Sequence, residues 1–229
     1  MKDILLVGMV REKSRRIENK MTRPFDTTCL YKIYLDKFER VQEQKNPFSD
    51  ITMAVCPEDE TLWEMSQNTT VKITKRNEHS VSDNVKDIVE AHHYLKDFDQ
   101  EYVMFVNGCF PFLTTKSIID FAEYFVKAEE IKSMTCVTPR QNYFWDSGTY
   151  KPINNTDKNN IHTTSCKPVL ESVQCMHIVN RNKMLKNKYL WDFTNRNPYL
   201  YILQYGPECL DIDNMFEFEL AEALWKYYR

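Results

Sequence analysis

Residues 4–20 of the chain, ILLVGMVREKSRRIENK, contain the feature that decides the fold. The apolar run from Ile4 to Val10 predicts a buried β-strand. It leads into residues 11–20, the basic loop, whose cations are Arg11, Lys13, Arg15, Arg16 and Lys20. In an α/β sheet the loop at the carboxyl end of the first strand faces the ligand crevice, so these cations are placed to bind a polyanion such as a triphosphate. Charge alone leaves a solvated basic surface as the alternative.

Strand and helix signals alternate along the rest of the chain. Further strands are predicted at 51–56, 71–74, 102–106, 134–138, 175–179 and 199–205. Helices are predicted to start near residues 28–30 and 58–60, and a further helix is predicted from the cap Ser82-Asp83-Asn84 to about Tyr94. Two more are predicted over residues 115–127 and, as an amphipathic helix, over residues 211–229. Such alternation is typical of a doubly wound, mostly parallel sheet. We therefore expect one α/β domain over residues 1–229.

Residues 141–170, called the excursion below, interrupt this alternation. The segment is polar and rich in Asn and Thr, yet it carries Tyr143, Phe144, Trp145 and Tyr150. These rings supply too much apolar surface to leave in water, so we expect an antiparallel excursion rather than disorder.

Composition restricts the class of partner. The net charge is −3 with both signs interleaved, which argues against a nucleic-acid or membrane-surface binder. The seven cysteines form no CxxC pair and are odd in number, so neither a zinc ribbon nor a disulfide framework is indicated. The amino terminus lacks a signal-peptide pattern, and no apolar run approaches the roughly 18 residues of a spanning helix. We expect a cytoplasmic protein with a small-molecule partner.

Two carboxylates stand near the end of the chain. Asp211 and Asp213 lie at positions i and i+2, where an extended segment meets the predicted last helix. Side chains at this spacing in extended chain point the same way and can chelate one hard cation such as Mg²⁺. The alternative is that Asp213 only caps the helix and Asp211 is solvated.

Both ends of the chain resemble one enzyme family. The pattern Arg11-x-x-Ser14-Arg15-Arg16-x-x-x-Lys20 resembles the first motif of the acylneuraminate (CMP-sialic acid) and CMP-Kdo cytidylyltransferases. Asp211-Ile212-Asp213 resembles the ending in which that family binds magnesium. The resemblance implies a Rossmann-like nucleotide-diphospho-sugar transferase (GT-A-like) fold with helices on both faces of the sheet. It also implies transfer of CMP from CTP to an acidic sugar for surface glycan biosynthesis, with release of pyrophosphate.

The resemblance assigns roles to individual residues. Nucleotide binding would fall to Arg11, Ser14, Arg15, Arg16, Lys20 and Asn107. Acceptor binding would fall to Arg76, Asn107, Gln141 and Gln174. The catalytic set would be Arg11, Lys20, Asp211 and Asp213, with both aspartates holding Mg²⁺. In relatives the segment that matches the excursion pairs with a second subunit, so a homodimer is expected, whereas rings folded back as a lid would leave a monomer.

The chain departs from the family at several positions. Glu12 and Lys13 replace glycines of the first motif. Glu217 stands at the third acidic position of the ending that begins at Asp211, and Cys109-Phe110 replaces a polar pair in the turn between these motifs. Three alternatives therefore stay open: a cytidylyltransferase for a non-sugar acceptor such as a phosphonate, an Asp-x-Asp glycosyltransferase, and a degenerate nucleotide-binding protein without activity. Chain position disfavours the glycosyltransferase, whose Asp-x-Asp usually lies mid-chain.

Overall fold

The computed structural model describes residues 2–155, 157–159, 161–204 and 206–228. The strands and helices are, in chain order, β1 (Ile4–Met9), β2 (Pro24–Phe25), β3 (Thr28–Cys29), α1 (Leu30–Glu43), β4 (Asp50–Val55), α2 (Glu60–Ser66), β5 (Lys72–Lys75), α3 (Glu78–Val81), α4 (Ile88–Ala91), β6 (Tyr102–Val106), α5 (Thr115–Lys127), β7 (Met134–Arg140), β8 (Val169–Asn180), α6 (Arg181–Asn187), β9 (Tyr199–Ile202) and α7 (Met215–Trp225). Short 3₁₀ turns cover His93–Asp97, Thr163–Ser165 and Pro207–Cys209. No helix in these ranges is long and apolar enough to cross a membrane.

The main sheet of the described residues has seven strands in the order β5-β4-β1-β6-β8-β7-β9. β1 is an interior strand that pairs in parallel with β4 and β6, so that Val7 stands beside Thr52 and Phe105. β8 runs antiparallel to its neighbours β6 and β7, while β9 is again parallel to β7. The predicted mostly parallel sheet is confirmed.

Both faces of the sheet are covered by apolar clusters, and the side chains of β1 point alternately into one and the other. Ile4 and Leu6 pack in the larger cluster with residues of α1 and α5. Leu5 and Val7 pack on the opposite face with Tyr94, Leu95 and a residue of α6. β6 is fully buried, as expected for a continuous apolar strand between two helical layers.

The predicted helix from Ser82 to Tyr94 is wrong. The segment instead contains α4 and the 3₁₀ turn at His93–Asp97. The helix cap is Asp87, whose carboxylate accepts hydrogen bonds from the backbone of Val89 and Glu90. Asp83 does not cap a helix, because its carboxylate pairs with the basic loop.

The last helix begins four residues later than predicted. Asn214 caps α7, and Glu217 completes a capping box with it. Apolar side chains also lie on more than one side of α7: Phe218 is buried, whereas Phe216 is 73% exposed. Strand β9 ends at Ile202, earlier than the predicted 205, and Tyr205 lies outside the described residues.

The excursion forms an antiparallel extension after β7, as predicted. Trp145 and Pro152 form an antiparallel bridge. The Asn154 amide donates to the carbonyls of Asn142 and Lys167, both at 2.7 Å, and so ties the two ends of the excursion together. Of its four rings, Trp145 and Tyr150 are 59% and 82% exposed, whereas Tyr143 and Phe144 are half-buried.

Candidate nucleotide-binding site

A cavity of about 490 Å³ lies where β1 and β6 end. Its walls are the basic loop and the turn after β6, and the lining residues are Met9, Val10, Arg11, Ser14, Arg15, Arg16, Lys20, Met21, Asn107, Gly108 and Cys109. The sheet brings the two segments together because parallel neighbouring strands end at the same edge. All six predicted nucleotide-binding residues therefore line one cavity.

Tyr34 of α1 supports the floor of this cavity. Its hydroxyl donates to the Val106 carbonyl at 2.5 Å and accepts from the Met9 amide at 3.2 Å, so it joins the ends of β1 and β6. Its ring packs so closely that a Cβ at Gly108 would lie 2.7 Å from a ring carbon. Two of the four glycines thus allow close packing on the two strands: Gly108 allows the approach of Tyr34, and Gly8 allows that of Met53 and Tyr34.

Lys20 connects the basic loop to the last part of the chain. Its side chain is buried, and Nζ donates to the Ile212 carbonyl at 2.6 Å. The Ile212 amide donates in turn to the Cys109 carbonyl at 3.1 Å. The first and last sequence motifs therefore meet at the cavity, although Lys20 and Ile212 are 192 positions apart.

The arginines of the basic loop are ion-paired. Arg16 contacts Asp213 at 2.6 Å. Arg11 and Arg15 both contact the exposed Asp83, at 3.2 and 2.8 Å. The hydrogen bond from Arg15 and the charges of both arginines lower the pKa of Asp83. Asp83 therefore occupies the guanidinium groups that a bound polyanion would need.

Replacing Asp83 with asparagine should tighten the binding of inorganic tripolyphosphate about threefold or more, since two exposed ion pairs no longer compete with the ligand. Isothermal titration calorimetry at fixed ionic strength would measure the change. Asp120→Asn removes a similar exposed pair, with Lys116, far from the cavity and should have no effect. Equal or weaker binding by the Asp83 variant would show that the carboxylate does not compete.

Asp211 and Asp213 provide two carboxylates next to the cavity. Oδ1 of Asp211 is buried and has no hydrogen-bond partner among the described residues. Burial, and then the charge of Asp213, raise the pKa of Asp211 to about 6. The alternative cap role of Asp213 is wrong, because Asn214 caps α7. Glu217 accepts hydrogen bonds from the backbone of Asp213 and Asn214, so its carboxylate serves the helix start.

The donor set fits a hard divalent cation. A buried carboxylate oxygen without a partner, repelled by a second carboxylate, is the arrangement that a bound dication relieves. Within the described residues no three His, Cys, Asp or Glu side chains form a metal cluster. Mg²⁺ commonly takes one or two protein carboxylates and completes its shell with phosphate oxygens and water.

Of the four predicted acceptor-binding residues, Asn107 lines the cavity, whereas Arg76, Gln141 and Gln174 do not. Arg76 is only 6% exposed, and its guanidinium donates to the backbone carbonyls of Val10, Ser80 and Ala91. It is therefore not free to pair with an acceptor carboxylate, and its predicted role in acceptor binding is corrected. Gln141 donates to carbonyls within the excursion. The Gln174 side chain is exposed, and the backbone carbonyl of Gln174 accepts from the side-chain amide of Asn107 at 3.3 Å.

Two carboxylates beside the basic loop are not among the predicted site residues. Asp83 belongs to a predicted helix cap. Asp59 follows β4 and is buried, and its carboxylate accepts from the Glu12 backbone amide at 3.1 Å. A signal for Asp59 existed, since the end of a strand next to β1 must lie beside the basic loop. No local pattern pointed to the pairing of Asp83.

No protein-family model and no curated protein matches the sequence. Solved structures do resemble the fold. CMP:2-keto-3-deoxy-manno-octonic acid synthetase complexed with CTP aligns over 100% of both chains with a TM-score of 0.69 and 11% identity. The 4-diphosphocytidyl-2C-methyl-D-erythritol synthase of Anaerococcus prevotii aligns over 98% of this chain and 99% of its own, with a TM-score of 0.64 and 14% identity.

The bifunctional IspDF of Campylobacter jejuni aligns over 95% of this chain and 54% of its own, with a TM-score of 0.60 and 10% identity. At such identities the agreement concerns the fold. The chain therefore has the nucleotide-diphospho-sugar transferase-like α/β fold that the sequence resemblance implied.

Proposed function

We propose that this protein is a magnesium-dependent cytidylyltransferase that transfers CMP from CTP to an acidic acceptor of the keto-acid sugar type. The observation that carries the proposal is the junction at Lys20 and Ile212, which joins a basic loop to a pair of carboxylates at one cavity. A polyphosphate site beside a cation site is what nucleotidyl transfer requires. The solved structures of similar fold include a synthetase complexed with CTP.

The basic loop would bind the triphosphate. Arg11, Ser14, Arg15, Arg16 and Lys20 all face the cavity, and Asn107 stands on the opposite wall, where the base or sugar would lie. The acceptor hydroxyl oxygen forms the new bond to the α-phosphorus, and the bond from this phosphorus to the bridging oxygen of the β-phosphate breaks. Pyrophosphate leaves, and the hydroxyl proton passes to solvent. Little covalent work falls to the protein, so positioning and charge neutralisation supply the rate.

Asp211 and Asp213 would hold Mg²⁺. When bound, the ion supplies charge neutralisation at phosphate oxygens and favours the ionised acceptor hydroxyl. Arg16 now pairs with Asp213, and a bound triphosphate offers this arginine another anion, which would leave Asp213 free.

The nature of the acceptor is the finer part of the proposal. Because Arg76 is buried, an acceptor carboxylate would have to bind the cations of the basic loop. Pyrophosphate release should be assayed with each of four NTPs and a panel of keto-acid sugars and phosphonates, in the presence of Mg²⁺. We expect release with CTP and a keto-acid sugar only. Release only with a phosphonate would show that the acceptor is a phosphonate and not a keto-acid sugar. No release with any combination of NTP and acceptor would refute the proposed enzymatic activity.

We further propose that the active form is a homodimer built on the excursion. Trp145 is exposed, and Leu170, Leu200 and Ile202 are 43%, 42% and 44% exposed. Leu200, Ile202 and Leu170 pair with every second residue of β7, at positions 135, 137 and 139. Because alternate residues of a strand point to the same side, these three aliphatic side chains lie on one face of the sheet. A continuous apolar surface of this kind marks an interface, and a second copy of the chain offers a self-complementary partner.

Light scattering at micromolar concentration should therefore give twice the 27.4 kDa mass of the chain. Trp145→Asp should shift the mass to that of one chain, because a buried interfacial charge without a partner is strongly unfavourable. Phe216→Asp is the matched control: Phe216 is 73% exposed and lies on α7, which packs in the larger apolar cluster on the opposite face of the sheet, so this variant should stay dimeric. A mass near 27.4 kDa for the unaltered protein would defeat the proposal.

A further inference from the structure

Two buried charged residues contact the backbone on either side of Arg11. Nη1 of Arg76 donates to the Val10 carbonyl at 3.1 Å. Oδ2 of Asp59 accepts from the Glu12 amide at 3.1 Å. Each of the two side chains is 6% exposed. The residue between these contacts, Arg11, lines the cavity.

The two residues come from the strands next to the basic loop. Asp59 follows β4, and Arg76 follows β5, where its amide donates to the Val55 carbonyl at 2.8 Å. β1, β4 and β5 are consecutive in the sheet and parallel, so their carboxyl ends form one edge. The position of Arg11 therefore depends on contacts from two other strand ends.

Burial of these charges is unfavourable in itself. It lowers the pKa of Arg76 and raises the pKa of Asp59, and the charge of each partly offsets the effect on the other. Apolar side chains could fill this space without the desolvation penalty. The buried guanidinium of Arg76 donates to three backbone carbonyls and so fixes the backbone of Val10 relative to Ser80 and Ala91, which apolar side chains could not do.

We propose that Arg76 and Asp59 are positioning residues, which hold the backbone at Arg11 in the conformation that binds polyphosphate. The inference rests on the proposed function only in that the cavity binds a triphosphate. Neither side chain lines the cavity. We expect their effect on ligand binding to pass through Arg11, because they contact the backbone on either side of it.

A double-mutant cycle tests this dependence. Arg76→Met should weaken the binding of inorganic tripolyphosphate about tenfold in the unaltered background, the size typical of coupled neighbours. In the Arg11→Ala background the same substitution should change the affinity little, because the group that it positions is gone. The loss of melting temperature should be similar in both backgrounds. Calorimetric titration and thermal unfolding give the two readouts.

Arg181→Met is the matched structural control. Arg181 is also buried, and it donates to the carbonyls of Gln100 and Leu95 near the start of β6, at the opposite edge of the sheet from the cavity. Its replacement should lower the melting temperature and leave the tripolyphosphate affinity unchanged. Arg76→Lys keeps the charge, with its donors on a single nitrogen instead of a planar fork, and should recover part of the affinity.

If Arg76→Met does not fold, Asp59→Ala takes its place in the same cycle, since it removes the acceptor of the Glu12 amide. Equal losses of affinity with and without Arg11, or no binding of tripolyphosphate by the unaltered protein, would overturn the positioning role. Turnover is a separate result. If the protein releases pyrophosphate but the effects of the Arg76 and Arg11 substitutions on affinity are additive, only the positioning role is refuted. If these effects are coupled but no pyrophosphate is released, only the enzymatic activity is refuted.

Discussion

Replacement of Lys20 with methionine should lower kcat by at least about 10²-fold, the loss typical when a group that stabilises developing charge is removed. Lys20 is the buried cation of the basic loop, and its ammonium lies at the junction with the carboxylate segment. Methionine keeps most of the side-chain volume, so the packing around this position stays close to the original. The Ile212 carbonyl loses a charged donor, and we expect about 1.5–3 kcal/mol of lost stability from that bond.

The rate of pyrophosphate release at saturating CTP measures this effect. Lys13→Met is the control within the same loop, because Lys13 is exposed and does not line the cavity. It should change kcat less than about threefold, as a screened surface charge does. If Lys20→Met kept the activity of the unaltered protein, as Lys13→Met should, the basic loop would be a solvated surface.

Asp211→Asn should lower turnover by at least about 10²-fold and should at the same time stabilise the metal-free protein. The loss of turnover follows from removing one of the two carboxylates that would hold Mg²⁺. The gain in stability follows from the environment of Asp211, because a neutral amide at this partly buried position is not repelled by Asp213.

The same environment predicts a pH dependence. The pKa of Asp211 is about 6 in the folded protein and 3.8 ordinarily, so the folded state binds the proton more tightly than the unfolded state. The contribution of Asp211 to stability therefore falls as the pH rises from about 4 to about 6, and the destabilisation is complete above that range. This component should be absent from Asp211→Asn.

Thermal unfolding at pH 5 and pH 7.5, with chelator or with Mg²⁺, measures both effects. Mg²⁺ should raise the melting temperature of the unaltered protein and not that of Asp211→Asn. Glu219→Gln, which neutralises an exposed acid on α7, should behave as the unaltered protein. A variant that keeps full turnover would remove the metal role from Asp211.

The sequence predicted features that depend on neighbours along the chain. Strand β1 and helix α5 follow from local apolar patterns, and α5 begins and ends where the pattern does. The order of strands and helices also placed the basic loop at the ligand edge, because parallel strands joined by helices end on one side. The gathering of six nucleotide-binding candidates at one cavity agrees with that topology.

Contacts between distant segments were not predictable in this way. Arg76 has the same local sequence whether it is exposed or buried, and only the packing of β5 beside β4 and β1 turns it towards the Val10 carbonyl. The carboxylate of Asp83 could have capped a helix, yet a pair of arginines 68 and 72 positions away binds it instead. Periodicity and caps are set within a turn or two of chain, whereas ion pairs and buried donors are set by which strand ends meet. The sequence by itself determined the fold class and the chemistry available at the edge of the sheet, and only the tertiary structure decided which charges face the ligand and which hold the backbone.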